Sequence, residues 1–527
     1  MPQPHPTLSR LAIASLLLIT LAYFWNLGGA PPALSGDEVL FAIHGKSIAT
    51  TGCDLNGRCW PLLVQIEADA SSRRWYQPIL FYAEAGMLSV LPMAPWVIRL
   101  PMVLVGMLDI LLVYLVAIEL GVRRSAALAA ALVLAAAPSH FFFARQAADF
   151  LLPVPFVLAA LWCLLRSRRT GQARWSAACG GILAVGTFSY VASWLIMPLL
   201  FVLSIVVLMG GAHRRRLVAA LVAGAVAGVL PAALWLWRHP EAFASLMRHY
   251  AGVTDDSMLG GIGRWLHYYR LLDVASNFWM SLNPVHVFFI GSPDLLHGTR
   301  SGGLLLLGAA VFLLAGVVDL CVKRDHRALL LAAGAIIALA PAVLIGTPDA
   351  GQRQVTLVPF AALIAAIGVE RVLVVMPRRA LALIAVSLVI GVVQFSAFLG
   401  DYFGDYSRTS IGRYDPLNIR ELGSILKGRD AAEPAPAIVL TMQDDGLGTG
   451  ATAESYWSFY AQAAENTAIA GKTRFAYLEG LGAISLPPGS LIVTGRSIDS
   501  LERYGVIAER DRGVDDPRLD FWRVRSP

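Results

Sequence analysis

Two acidic residues stand together in Ser35-Gly36-Asp37-Glu38, directly after the first apolar run of the chain. Adjacent carboxylates at the edge of a bilayer are costly unless they are solvated, paired or reactive. A further acid, Asp149, follows His140-Phe-Phe-Phe-Ala-Arg145 at the start of a later apolar run. Cations recur in the same neighbourhoods: Arg73, Arg74, Arg99, Arg145, Arg300 and Arg353, with His297 close to Arg300. Such acids and arginines suit group transfer from a phosphate ester. A carboxylate takes the proton of the incoming nucleophile as the new bond forms. Guanidinium forks stabilise the departing phosphate through two of its oxygens. Plainer readings compete at each position. The acidic pair also reads as a hydrated loop, Arg145 and Asp149 as an i,i+4 pair at a helix start, and at least half of the arginines as anchors to lipid headgroups. Asp109 lies mid-run and is expected to face other helices, whereas Glu119 sits near a run's end and reads as a local charge partner.

Composition says what must position these groups. Of 527 residues, 57% are hydrophobic and 15% charged, with a mean hydropathy of +0.62. Soluble domains carry about 25% charged residues, so a soluble globular chain is excluded. Apolar runs of about 20 residues, enough to cross a bilayer, recur along the sequence. A whole series of them is not a signal peptide, and the first, lacking a small-residue cleavage site, reads as a retained anchor. The net charge of +6 does not point to nucleic acid, because the arginines fall in short clusters between runs, the pattern that sets membrane orientation.

Helical spans are expected at about 11–27, 97–120, 125–143, 149–166, 175–190, 192–211, 217–237, 302–321, 328–346, 354–375 and 380–399. The run Tyr76 to Leu91 tempts a further span, but placing it across the bilayer would put most arginine-rich turns outside. Laid along the interface, it leaves Arg123-Arg124, Arg166 to Arg169, Arg214-Arg215-Arg216, Lys323-Arg324 with Arg327, and Arg378-Arg379 on the cytoplasmic side. The result is a polytopic α-helical protein of about eleven spans, N-terminus inside and C-terminus outside. Its membrane part covers residues 1–400, with outer loops at about 28–96 and 238–301, the latter holding Arg264, Trp265, Tyr268, Tyr269 and Asn283. Residues 401–527 turn polar and read as a small outer α/β domain, with strands at Ala437–Thr441 and Ser490–Thr494 and a helix at Glu454–Ala464. Trp457 and Tyr460, one turn apart on that helix, read as core. Within the tail no chemical motif stands out, which favours a lid or docking role over acceptor selection. Two of the five cysteines, Cys53 and Cys59, share the first outer loop. A disulfide suits an oxidising compartment, and it is favoured over a metal pair because no His-rich motif accompanies them. Cys163, Cys179 and Cys321 read as packing residues.

Taken in order, these pieces resemble the protein O-mannosyltransferase and lipid A aminoarabinose transferase superfamily, whose members are integral-membrane glycosyltransferases of the C-type fold. The resemblance covers about residues 10–400. It rests on Asp37-Glu38 with Thr51-Gly52-Cys53-Asp54, on Gln77-Pro78 through Tyr82, on Arg99-Leu100-Pro101, and on Pro138 with Arg145 and Asp149. His239-Pro240-Glu241-Ala-Phe243, Asn283 through Gly303 and Arg353 through Pro359 complete the order. It implies a polyprenyl-phosphate sugar donor, an acceptor at the periplasmic face of a bacterial inner membrane, and a single inverting displacement. Asp37 would be the general base, Glu38 its support or part of a divalent-cation site, and Asp149 the second acid. Arg99, Arg145 and Arg353 would orient acids or bind the carrier phosphate, together with Arg73, Arg74, Tyr82, His297 and Arg300. One departure matters: where the family has Gly-Asp followed by Arg-His, this chain has Gly291-Ser292-Pro293-Asp294 and then Leu295-Leu296-His297. The basic contact there is lost or shifted to His297 and Arg300. Membrane lipids are the surrounding partners, and nucleic acid is not one. The donor sugar and the acceptor (protein, lipid A, another glycan or a lipid) stay open, as does metal use. Two competing readings are a transporter or flippase of lipid-linked saccharides and a polysaccharide polymerase or ligase. The first is disfavoured because no paired inverted repeats appear, the second because the acidic pair after the first span belongs to the resembled family.

Overall fold

The computed structural model describes residues 6–69, 72–211, 213–242, 245, 268–344, 351–415, 418–442, 453–463, 467–495, 498–511 and 519–525. Arg264 and Trp265 lie outside the described residues, as does the side chain of Arg73. Each expected span coincides in most of its described residues with helix, and among the described residues six helical stretches are long and apolar enough to cross a membrane, the longest being Pro377–Thr409. The segment after Tyr76 forms the helix Pro78–Leu88. Its 11 residues rise only about 16 Å, too short to span.

Boundaries differ from expectation where proline and glycine intervene. The run expected at 125–143 is two helices, Arg124–Ala135 and Pro138–Phe143. Pro138 forces Ala137 into an extended conformation (ψ 119°) and then starts the next helix at its first position. Likewise Asp149–Leu151 is a single 3₁₀ turn before Pro153–Thr170. The span expected from 302 begins in regular helix only at Ala310, after a 3₁₀ turn at Leu307–Ala309. Gly303 lies so close to the 286–290 segment that a Cβ would sit 2.4 Å from the Val287 carbonyl oxygen, and Leu305 N donates to that oxygen. Between Ala173–Gly186 and Arg214–Arg238 the backbones also touch: a Cβ on Gly180 would fall 2.0 Å from Leu221 O, and one on Gly224 1.9 Å from Ala177 O. Small residues that admit such approach are how helices bind one another where lipid offers no hydrophobic drive.

Over one end of the bundle lies a layer made of the Gly36–Thr51 helix, an antiparallel hairpin (Val64–Asp69 with Ser72–Tyr76) and Pro78–Leu88. Cys53 and Cys59 are joined by a disulfide in the loop following the first of these. The last long helix, Pro377–Phe403, runs past the boundary drawn at 401, and two short helices to Tyr414 pack against the bundle. Beyond them a five-stranded mixed sheet has the order Thr473–Tyr477, Ile438–Met442, Leu491–Gly495, Leu519–Val524, Ala508–Arg510. Its first three strands are parallel, its last two antiparallel to their neighbours. The tail helix Ala453–Ala463 buries Trp457 and Tyr460 and packs directly on Gly36–Thr51.

Two fully buried arginines shape the connection between the first helix, Pro6–Phe24, and Gly36. Arg99 donates to the carbonyls of Leu27 (3.1 Å), Pro31 (2.9 Å) and Ala33 (2.7 Å) and forks onto Glu38 (Nε to Oε1 2.7 Å, Nη2 to Oε2 3.2 Å). Arg145 donates to the carbonyls of Ala22 (3.0 Å), Tyr23 (2.6 Å), Asn26 (3.3 Å) and Ala30 (2.9 Å). Both gather carbonyls of the helix end and of the segment that follows it. Removing one partner of a buried ion pair strands the other at about 3–5 kcal/mol. Arg99→Ala should therefore lower the detergent thermal-unfolding midpoint markedly. The expected loss is larger than for Arg74→Ala, and an equal midpoint for the two variants would refute the assignment.

Candidate active site

Asp37 owes its place to a helix start. Ser35 caps Gly36–Thr51, its Oγ accepting from Glu38 N (3.4 Å) while Glu38 Oε2 accepts from Ser35 N (2.8 Å). This reciprocal capping box puts Asp37 in the first turn, where the helix dipole favours a carboxylate. Glu38 faces inward and is fully buried. Besides Arg99, its Oε1 accepts from Ala147 N at 3.0 Å. One carboxylate thus ties the loop of Asp37 to the loop of Asp149, two residues beyond Ala147. With its oxygens taken by four donors, Glu38 acts as a strut between the two loops. No cluster of three potential metal ligands occurs among the described residues.

Asp37, by contrast, points outward and stays partly exposed. Tyr76 Oη donates to its Oδ1 at 3.3 Å. Burial pushes its carboxyl above the usual carboxylate range; His297 opposes this most, then Tyr76 and Arg74, while Glu38 adds to the rise. Asp149, buried at 6% exposure, lies near enough for its charge and that of Asp37 to interact. His297 comes from the loop after the 286–290 segment, where Asp294 Oδ2 holds its Nδ1 at 2.9 Å and Phe150 meets its ring edge-on at 5.4 Å. The hydrogen bond from His297 draws the Asp294 carboxyl well below its usual range, against the opposing pull of burial, with Arg413 helping at 2.9 Å. Half-buried Arg353 belongs to the short helix Gly351–Gln354, which packs on Asp149–Leu151. That helix is pinned by Gln354, whose Oε1 meets His286 Nε2 at 2.6 Å. Arg74 is half-buried on the hairpin, with its Nε finding no partner among the described residues.

The arrangement therefore brings Asp37, Asp149, His297, Arg74 and Arg353 towards one region. Four sequence candidates are spent elsewhere. Arg99 and Arg145 are sealed at 0% exposure with carbonyls as partners, so neither reaches a phosphate. The i,i+4 pairing of Arg145 with Asp149 does not form, because the guanidinium turns to the first helix instead. Tyr82 Oη donates to Pro61 O (2.9 Å) and braces the disulfide-bearing loop. Arg300, exposed and in a left-handed conformation (φ 63°), turns its Nε back on Pro293 O within its own loop. Asp109 is fully buried, its Oδ2 3.4 Å from His140 Nε2, and Glu119 pairs with Arg166 (2.9 Å) and Arg169 (3.0 Å). Tyr76 and Asp294 escaped sequence reasoning, since a tyrosine two residues before a proline and an aspartate three residues before a histidine carry no distinguishing pattern.

The sequence model of the dolichyl-phosphate-mannose-protein mannosyltransferase family matches residues 77–237. No curated protein sequence matches the chain. Among solved structures, ArnT from Cupriavidus metallidurans bound to undecaprenyl phosphate aligns over 99% of this chain and 100% of its own, with a TM-score of 0.59 at 14% identity. The archaeal oligosaccharyltransferase AglB from Archaeoglobus fulgidus, in complex with an inhibitory peptide and a dolichol-phosphate, aligns over 94% of this chain and 70% of its own, with a TM-score of 0.51 at 13% identity. The chain shares the fold of these integral-membrane glycosyltransferases along nearly its whole length, and residues 77–237 resemble the mannosyltransferase family in sequence.

Proposed function

We propose that the protein transfers a sugar from a polyprenyl-phosphate carrier to an acceptor at the periplasmic face, in one inverting displacement. The observation that carries this is the outward-facing Asp37, set among Tyr76, His297 and Asp149 at the end of an apolar bundle. Asp37 takes the proton from the acceptor as its oxygen attacks the anomeric carbon. The departing polyprenyl phosphate gathers charge, which Arg74 and Arg353 offset. Asp149 sits beside the base as a second acid that keeps the acceptor oriented. A carrier of this kind fits two observations: six helices among the described residues are long and apolar enough to cross a membrane, and ArnT, similar in fold, was captured with undecaprenyl phosphate. The topology read from the arginine clusters puts this layer and the C-terminal sheet in the periplasm, where the Cys53–Cys59 disulfide would persist.

Membranes holding the wild-type chain should move radiolabelled sugar from a matching polyprenyl-phosphate donor, and Asp37→Asn should cut the rate by about 10²–10⁴-fold at equal expression. Equal product from the variant would refute Asp37 as base. The burial that raises the Asp37 carboxyl has a signed consequence: the base form is lost as pH falls through the raised value, so the acid limb of kcat/KM should lie above the 3.8 of an ordinary aspartate. A flat profile down to pH 4 would contradict it. Arg353→Ala and Arg74→Ala should raise the KM for donor or lower kcat by about tenfold or more each. Kinetics unchanged in both variants would remove the phosphate assignment.

A further inference from the structure

The loop that holds His297 has no regular structure of its own, yet it is fixed by a chain of buried hydroxyls from distant sequence. Tyr406 Oη donates to Leu295 O at 2.7 Å, and the hydroxyls of Tyr406 and Tyr414 meet at 2.9 Å. Gln146, three residues before Asp149, uses its amide nitrogen on both Tyr414 Oη and Leu296 O (3.0 Å). Each hydroxyl has a single proton, so the directions are set: Gln146 donates to Tyr414, Tyr414 to Tyr406, and Tyr406 to the loop carbonyl. The ladder continues at both ends. Tyr402 stacks on Tyr406 (5.6 Å, 12° between planes), accepts from Arg145 Nε (3.3 Å) and donates to Ala30 O (3.2 Å). From the tail helix Ala453–Ala463, Tyr456 Oη donates to Tyr414 O (2.8 Å), and Tyr460 Oη accepts from Leu34 N (3.3 Å), three residues before Asp37. Tyr402, Tyr406, Tyr414 and Tyr456 are each at most 1% exposed.

We infer that Tyr402, Tyr406, Tyr414, Tyr456 and Tyr460 with Gln146 form a positioning network through which the C-terminal segment sets His297 relative to Asp37. The inference rests on the proposed role of Asp37 as base and extends it to a part of the chain with no chemical motif of its own. Physically, the network reaches His297 through the loop's carbonyls at 295 and 296. Buried hydroxyl chains polarise one another and hold geometry more tightly than separate bonds, while a half-satisfied chain is costly. The groups facing Asp37 are His297, Tyr76 and Arg74, which draw its carboxyl down, and Glu38, which pushes it up; Asp149 and Tyr456 also lie within reach of its charge. Letting His297 drift therefore removes the largest downward pull.

The test uses the full chain in detergent or nanodiscs, with Tyr406→Phe and Tyr414→Phe, which keep the ring and delete the hydroxyl. Tyr477→Phe, an exposed tail tyrosine, serves as control. Hydrogen–deuterium exchange should rise over residues 291–303 in both variants and not in the control. In the transfer assay, kcat should fall about 10–100-fold with little change in the KM for donor, and the acid limb should move up by on the order of half a pH unit or more. Unchanged exchange over that loop overturns the inference whether or not a donor is found. A lower kcat with an unmoved acid limb also overturns it, since loss of folded protein alone has that signature. Absence of transfer by the wild type from any donor would count against the proposed function, while the exchange result still decides the network.

Discussion

The architecture of the outer layer hangs on one buried ion pair, Arg99 with Glu38. Both side chains are wholly excluded from solvent, so neither tolerates a missing partner. Satisfying them fixes the backbone around them: three carbonyls between Leu27 and Ala33 turn inward to the guanidinium, and two amides, of Ser35 and Ala147, turn to the carboxylate. Asp37 follows from this as the next residue on a helix whose start cannot move. Asp149 follows as well, because Ala147 is bound to the same carboxylate. Such a pair contributes specificity of geometry more than net stability, and here the geometry it specifies is the spacing of two acids from different loops.

Electrostatics at Asp37 is a contest between burial and its cations. Low-dielectric surroundings favour the neutral acid, and the nearby carboxylate of Glu38 pushes the same way. Opposing them are His297, Tyr76 and Arg74. A carboxylate tuned in this way is more basic than a free aspartate yet still ionises, which suits the base role proposed for it. The restraint on His297 matters for that reason: its side chain keeps 21% exposure, and Asp294 steadies it from within the same loop.

Much of the membrane part was legible because uninterrupted apolar runs need no tertiary information to be recognised. Where the reading slipped, local backbone chemistry was responsible: Pro138 splits one expected span, and Gly302-Gly303 delays the start of another. In the candidate site, Asp37 and Asp149 stood out as acids beside lipid, and His297 emerged from a departure in an expected motif. Arg99 does orient an acid, Glu38, whereas Arg145 turns to carbonyls, and the sequence does not tell the two apart. Residue type and sidedness do not reveal whether a guanidinium faces a cleft or the uncapped end of a neighbouring helix, and both options place an arginine near the surface layer. The tyrosines of 402–460 were invisible for a different reason. They are spaced 4, 8, 42 and 4 residues apart and share no face of one element, so no periodicity marks them.

The contact between Leu34 and Tyr460 spans 426 positions of sequence. A ribosome finishes the loop carrying Asp37 long before it makes the helix that leans on it. During synthesis the acidic loop therefore precedes its outer wall by most of the chain, and that wall closes on it only once the helix Ala453–Ala463 has been made.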